Sequence, residues 1–396
     1  MSQAIRTLIV LGLTLNTGGR LSLTATEETS WKPTDSRVVY TGSSEYTNKQ
    51  RYRVLPSVVR LLDGTLVAMV EPIKHIFIRS TDGGKTWSKP YIGVSPKDSG
   101  TLNALGLRRD GRLMGVFSQG NENLGTSSVQ KQTDEHADGR VTQGYTGYRY
   151  SGDLRLGYSN DQGKTWTLGA KIDFSPMVSA WTWTMGRALE LKDGTLIVPV
   201  GGYLSLEDVD GIWLSAGILR SSDDGASWSF SILGRANPKT WNIFSEPTVA
   251  ELHDGTLVAM IRSEDRVTKS GPGDPRGTRH GLHRAISKDG GKTWTNPAMS
   301  IPNATHCSMA TLPDGVLLCG YHSHNPRMGL SADEGLNWYA HMLWSKDDPA
   351  ADWGYYTSVD FVDENTAVVL VKETPAPNII RACLLRRQPR DTPEAR

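Results

Sequence analysis

The sequence predicts an all-β chain, a six-bladed β-propeller of four-stranded antiparallel blades, on three observations. One phrase, Ser-x-Asp-x-Gly-x-x-Trp, occurs five times: STDGGKTW from residue 80, SNDQGKTW from 159, SSDDGASW from 221, SKDGGKTW from 287 and SADEGLNW from 331. A second phrase precedes each copy: LLDGTL at 61, RRDGRL at 108, LKDGTL at 191, LHDGTL at 252 and LPDGVL at 312, with a degenerate sixth, VDENTA, at 362. No helical segment separates these units, so inner hairpins and outer turns alternate along the chain, the pattern of antiparallel units repeated radially.

Each element has a physical reason. The Asp-Gly pair is what a tight two-residue β-turn prefers, and in FSEPTVAELHDGTLVAMIR, residues 244 to 262, it is flanked by alternating apolar residues. In the tryptophan phrase the Asp side chain can bond nearby backbone amides, the Gly allows a positive φ, and the Trp packs under the turn. That phrase is a folding device, not a reaction centre. The sixth unit has no tryptophan turn after IIRACLLRR, so its outermost strand is expected from the N-terminal SRVVYTG at 36 to 42, closing the ring. The longest insertion, about 118 to 153, falls within the second blade and reads as a lid over one end of the ring or as disorder.

The repetition makes residues 26–396 one domain. Before it, residues 1–25 resemble a short secretory signal, Arg6 followed by LIVLGL with LTA at 23 to 25 as a processing site, so a secreted or periplasmic protein is expected. No other segment approaches the ~20 apolar residues of a membrane span. A net charge of +1 with 21% charged residues gives no field suited to nucleic acid, and no basic run suits a membrane surface. Cys307, Cys319 and Cys383 are too few and too scattered for a disulfide framework or a zinc site and read as buried small hydrophobes. No cofactor or metal is expected.

Equivalent positions of the repeats can be compared. Eight residues before each inner turn stand Leu55, Leu102, Met185, Glu246, His306 and Tyr356. At the far end of the following strand stand Glu71, Ser118, Gly201, Arg262, His322 and Lys372. In a propeller these strand ends surround the central axis on one face, and here that face is unusually polar. Glu246 and Arg262 lie opposite each other across their hairpin, within a residue of register, and Glu246 and Tyr356 share a rung two blades apart.

The tryptophan turns are Asp boxes, and roughly residues 37 to 387 resemble the sialidase (neuraminidase) superfamily of six-bladed propellers. Asp boxes also occur in propellers with other functions, so the site residues carry the functional claim. The segment 244 to 262 resembles the family's Glu-Pro hairpin, which implies that Glu246 polarises a nucleophilic tyrosine and Arg262 belongs to a triad that binds the substrate carboxylate. GYYTSVDFVDENTAVVLVKE at 354 to 373 resembles the closing segment. Measured from its turn, Tyr356 rather than Tyr355 matches the nucleophile, and Glu373 is near the acid that steadies the first arginine. RYRVLPSVVRLLDGTLVA resembles the first-blade arginine segment, with an extra residue between Arg53 and Pro56 that turns the side chain away unless a bulge restores it. Arg327, in NPRMGLSADEG, is the candidate third arginine. His306 and His322 read as substrate hydrogen-bonding or structural residues, and AWTWTMG at 180 to 186 as a stacking wall or inter-blade packing.

The residue types suit a sugar that carries its carboxylate on the anomeric carbon. A carboxylate nucleophile would be repelled there, whereas a neutral phenol is not, and sialidases use tyrosine. With an unperturbed pKa near ~10 the phenol needs a base beside it, for which Glu246 is the candidate, and guanidinium groups match a carboxylate with paired hydrogen bonds. The family's general-acid Asp is missing: the loop after the first hairpin, EPIKHIFIR, has none. Glu71 and His75 remain there as candidates, with Asp134 or Asp138 of the insertion as substitutes. Equally, Glu71 reads as a partner of Arg53 or Lys74, and His75 as an ordinary strand-edge residue. The expectation is an exo-α-sialidase acting on a glycan that bears a carboxylate sugar. The alternatives are another glycosidase or a lyase acting at a uronic acid, and a non-catalytic sugar-binding propeller.

Overall fold

The computed structural model describes residues 31–43, 54–96, 99–123, 133–135, 141–143, 150–182, 186–211, 213–240, 242–265, 279–323, 325–343, 354–373 and 378–388. The signal-like segment, Arg53, Asp138, Met185 and His324 lie outside them, and no side chain is described from 119 to 152, Asp134 included.

Among the described residues the chain is all-β apart from the short helix Leu206–Gly211. Four sheets are four-stranded and antiparallel, and a larger sheet has nine strands. Within the larger sheet the runs Thr101–Leu107 through Thr167–Lys171 and Ala188–Glu190 through Ser229–Gly234 are each antiparallel. They are joined by a parallel pairing of Ala188 with Gly106 and Leu189 with Leu107. The sequence predicts separate blades here; the structure fuses two of them, and Gly106 is the reason. A Cβ at Gly106 would stand 2.1 Å from Ala188 O, so only glycine admits that backbone. The insertion extends its hairpin, with Leu113–Asn123 paired to Tyr150–Ser159, and carries a ribbon of Thr133–Glu135 with Val141–Gln143.

The last sheet closes as the sequence predicts, with Trp31–Thr41 pairing antiparallel with Ile379–Arg387 and starting five residues before the predicted strand. Contacts link neighbouring sheets in a circuit, through first strands except at the second strand Leu196–Tyr203, with the Gly106–Ala188 pairing supplying the remaining link. Ser57–Arg60 packs on Thr101–Leu107 and on Gly354–Asp363, Leu196–Tyr203 on Asn242–Glu251, that strand on Thr305–Thr311, and Thr305–Thr311 on Gly354–Asp363. Six apolar clusters fill the spaces between neighbours. Each second strand is buried on both faces: Leu196 and Val198 meet Met114 and Leu154 on one side, while Ile197 meets Ala259 and Ile261 on the other. Two-sided burial explains why these strands read as continuous apolar runs. The three cysteines are free and buried in these clusters.

The five tryptophan turns are built alike. In the first, Ser80 Oγ donates to Asp82 Oδ1 (2.8 Å) and accepts from Gly84 N (2.8 Å). Thr86 N donates to Asp82 (2.9 Å) and Trp87 Nε1 to Gly84 O (3.1 Å). Gly84 has φ +84. Ser80 is buried, so Ser80→Ala leaves the Gly84 amide without its acceptor; a loss of about 1–3 kcal/mol is expected in denaturant unfolding, with the slope unchanged. The inner turns are capped by their aspartates, as where Thr256 N donates to Asp254 (2.9 Å).

Candidate active site

Glu246 is positioned by a β-bulge. Ser245 pairs with Arg262 and Thr248 with Met260, so Glu246 and Pro247 have no rung of their own. Glu246 takes φ 50, a left-handed conformation costly for a glutamate and found where a side chain must be aimed. The next sheet repeats the device at the equivalent position: His306 lies between Thr305 and Ser308 in a bulge, with φ 54. In the sheet after that, a shift between Gly354 and Tyr356 precedes Tyr356, which pairs with Lys372.

These bulges bring three sheets to one point. Glu246 Oε1 accepts from Arg262 Nη1 at 2.7 Å. Glu246 Oε2 stands 2.8 Å from His306 Nδ1, at ion-pair distance though out of line for a hydrogen bond. The His306 ring lies 4.3 Å from the Tyr356 ring, tilted by 50°. Lys372, fully buried, places Nζ 5.9 Å from the Tyr356 ring centre. Arg262 also bonds Glu264 through Nη2, and His280 lies across from Glu264 in the sheet. Glu246, His306 and Tyr356 are all buried.

The electrostatics follow from this packing. Burial pushes the Glu246 carboxyl up, but the charges of Arg262 and His306 and their contacts outweigh it and hold the pKa at about 2. For Arg262, burial works against the charge and Glu246 and Glu264 outweigh it, raising its pKa. His280 is lowered by burial and then by Arg262. Because the folded pKa of Glu246 is depressed from 4.5, its contribution is present above that value and lost as pH falls toward 2. The stability gap between the wild type and Glu246→Gln, about 3 kcal/mol from this linkage, is therefore expected to close between pH 4.5 and 2 in acid denaturation.

The other candidates sit as follows. Glu71 is buried, accepts from the Tyr40 hydroxyl and lies 3.5 Å from Lys74, the structural partnership that the sequence offered as its alternative. His75, with φ 50, donates from Nε2 to Gly100 O (3.0 Å) and meets Phe117 edge-on; burial lowers its pKa, which leaves it neutral near pH 7. Glu373 bonds Arg381 on the neighbouring strand; the first-blade Arg53 is outside the described residues. Arg327 lies across from Tyr321 in the sheet that carries His306, and its Nε is buried with no hydrogen-bond partner among the described residues. His322 pairs with Thr305. Trp181 packs edge-on against Tyr203 at 5.6 Å.

Two residues here were not singled out for the chemistry from the sequence. Lys372 appears there only as the rung equivalent of Arg262, a position that could have flagged it. Arg187 carries no local signal at all. Its Nη2 reaches Val58 O (2.9 Å), Val359 O (3.0 Å) and Asp360 Oδ2 (2.8 Å), bridging to two other sheets.

Repeated Asp-box hairpins arranged around a polar cluster of strand ends define a protein of the BNR-repeat class. The BNR repeat-like domain model matches residues 139–363 and the BNR/Asp-box repeat model residues 78–89; the chain belongs to this family, within the sialidase superfamily. It is 26% identical over 387 residues to a sialidase of Bacteroides fragilis, covering 86% of this chain and 63% of that protein. It spans about three fifths of the length of the curated sialidases it matches. Among solved structures it is similar to an α-L-arabinanase of Penicillium chrysogenum, with 15% identity, TM-score 0.59, and 90% and 98% of the two chains covered. It is also similar to a leech intramolecular trans-sialidase, with 14% identity, TM-score 0.57, and 88% and 70% covered. At such identities the structural likeness speaks to the fold alone.

Proposed function

We propose that this chain is a six-bladed propeller glycoside hydrolase of exo-sialidase type, with Tyr356 as the nucleophile and the Glu246–Arg262 pair beside it. The blade count is supported by the circuit of contacts between neighbouring sheets and by the six clusters between them. One observation carries the functional reading: Glu246 and Arg262, joined by one hairpin, meet Tyr356 of a distant segment through His306. In this reading the sugar carboxylate is received by arginine. Arg327 suits that role because its buried Nε has no hydrogen-bond partner among the described residues, and Arg262 keeps a buried Nε in the same condition. Tyr356 attacks the anomeric carbon as a phenol beside a buried carboxylate, without the repulsion that an ionised nucleophile would meet.

A specific observation favours a second reading. Glu71 and His75 are already bonded to Tyr40, Lys74 and Gly100, so the first loop offers no ready acid for a poor leaving group. A lyase or glycosidase acting at a uronic acid would use the same cations with Tyr356 as acid or base. An aryl sialoside separates the two, because its leaving group departs without protonation. Release of the fluorogenic phenol from the sialoside by the purified chain is expected. No release, together with unsaturated product or turnover from a uronic-acid glycan, would replace the first reading with the second; binding without turnover of either would make the chain a lectin-like propeller.

A further inference from the structure

We propose that Glu264 is a built-in counter-ion of Arg262 that an incoming sugar carboxylate must displace, and that it thereby sets which anions the site accepts. This deepens the reading of Arg262 as a receiver of the carboxylate and rests on it. Arg262 is held between two carboxylates. Glu246 Oε1 takes Nη1 at 2.7 Å, and Glu264 takes Nη2. The remaining guanidinium nitrogen, Nε, is buried. An anion that is to pair with Arg262 therefore meets the Nη2 end, where Glu264 already sits.

The strand places these groups in order. Arg262 and Glu264 are two residues apart in Leu257–Asp265, so they share a face and lie about 7 Å apart along it. Ser263, between them, turns the other way and donates to Gly281 O at 3.3 Å. Side-chain exposure rises from 6% at Glu246 through 16% at Arg262 to 20% at Glu264. The inner carboxylate is fixed by its bulge and faces His306 as well, whereas the outer one has Arg262 as its hydrogen-bond partner and water beside it. Displacement also has a destination within the protein. His280 stands across the rung from Glu264, on the same face, and its Nδ1 has no hydrogen-bond partner among the described residues.

Two carboxylates on one guanidinium leave the cluster negative, so a third is repelled for as long as Glu264 stays. A tethered group acts at an effective concentration on the order of millimolar or higher. Free small anions below that level do not take its place on Arg262. A sugar carboxylate does, because contacts with the rest of the ring offset the loss of the Glu264 pair. Glu264 is in this sense a specificity residue that touches the cation rather than the reacting atoms.

The test uses the full chain and the variant Glu264→Gln, which keeps the shape and a neutral oxygen for Nη2. With an aryl sialoside, KM is expected to fall by about two- to fivefold, the range of a partly exposed ion pair, while kcat changes little. Acetate is expected to inhibit the variant at a several-fold lower concentration than the wild type. A merely structural ion pair gives the other sign, a KM that is unchanged or higher together with a lower thermal midpoint. That result overturns the counter-ion, and turnover of the sialoside in the same assay leaves the sialidase reading standing. If no sialoside is cleaved, calorimetric titration with an aryl sialoside and an aryl glucuronide replaces the kinetics. Tighter binding of either by Glu264→Gln then keeps the counter-ion and removes the substrate assignment. Equal or weaker binding, or none by either protein, overturns both.

Discussion

Tyr356→Phe is expected to reduce turnover of an aryl sialoside by at least ~10³-fold, the scale on which removing a covalent nucleophile acts, while leaving the thermal midpoint almost unchanged. The substitution removes one oxygen and keeps the ring. The contact with His306 and the Lys372 ammonium near the ring centre both involve the aromatic face, so packing survives the loss of the hydroxyl. The strand is also secured elsewhere along its length, by seven further rungs with Thr366–Glu373 besides Tyr356↔Lys372. An activity loss without a stability loss therefore reports on chemistry. A residual rate within tenfold of wild type would mean that another group attacks, and the site would have to be rebuilt around His306. Retention of sialoside binding by the variant would place the loss in kcat, as required of a group whose covalent role begins after the sugar is seated.

The turns were legible because each is encoded within eight residues. Asp82, Asp161, Asp223, Asp289 and Asp333 accept the same set of bonds, and nothing distant is needed to form them. Glu246 and Arg262 were legible for the same reason, since one hairpin joins them, yet the bulge that aims Glu246 was not: Ser-Glu-Pro carries no pattern that announces an extra residue. Choosing Tyr356 over Tyr355 is a matter of register; the Tyr356 ring is buried against His306, and the Tyr355 side chain is not among the described ones. What the sequence could not reveal was contact between sheets. His306 could be ranked by its rung, but its place between Glu246 and Tyr356 depends on how three sheets meet. The fusion through Gly106 depends on a backbone approach that the repeat does not encode.

Arg187 is the extreme of that kind and gives the largest stability effect expected here. It precedes the short strand Ala188–Glu190, and its guanidinium ends on Asp360, 173 positions later. Asp360 has a side chain only 3% exposed and accepts from Arg60 N and Phe361 N, both at 2.8 Å. Those amides can solvate a carboxylate, but Arg187 is the cation among its observed partners. Arg187→Ala therefore leaves a buried charge uncompensated, for which about 3–5 kcal/mol is expected, together with orphaned carbonyls at Val58 and Val359. Asp360→Asn in the Arg187→Ala background should recover a substantial part, because the amide no longer needs a counter-charge. Denaturant unfolding of the four proteins in the cycle measures this directly, and a single-variant loss under about 1 kcal/mol would show that the pair is not structurally important. Asp360 lies four residues along its strand from Tyr356, roughly 13 Å at the usual rise. The folded fraction of Arg187→Ala should therefore keep its kcat, which separates a bolt between sheets from a part of the reaction site.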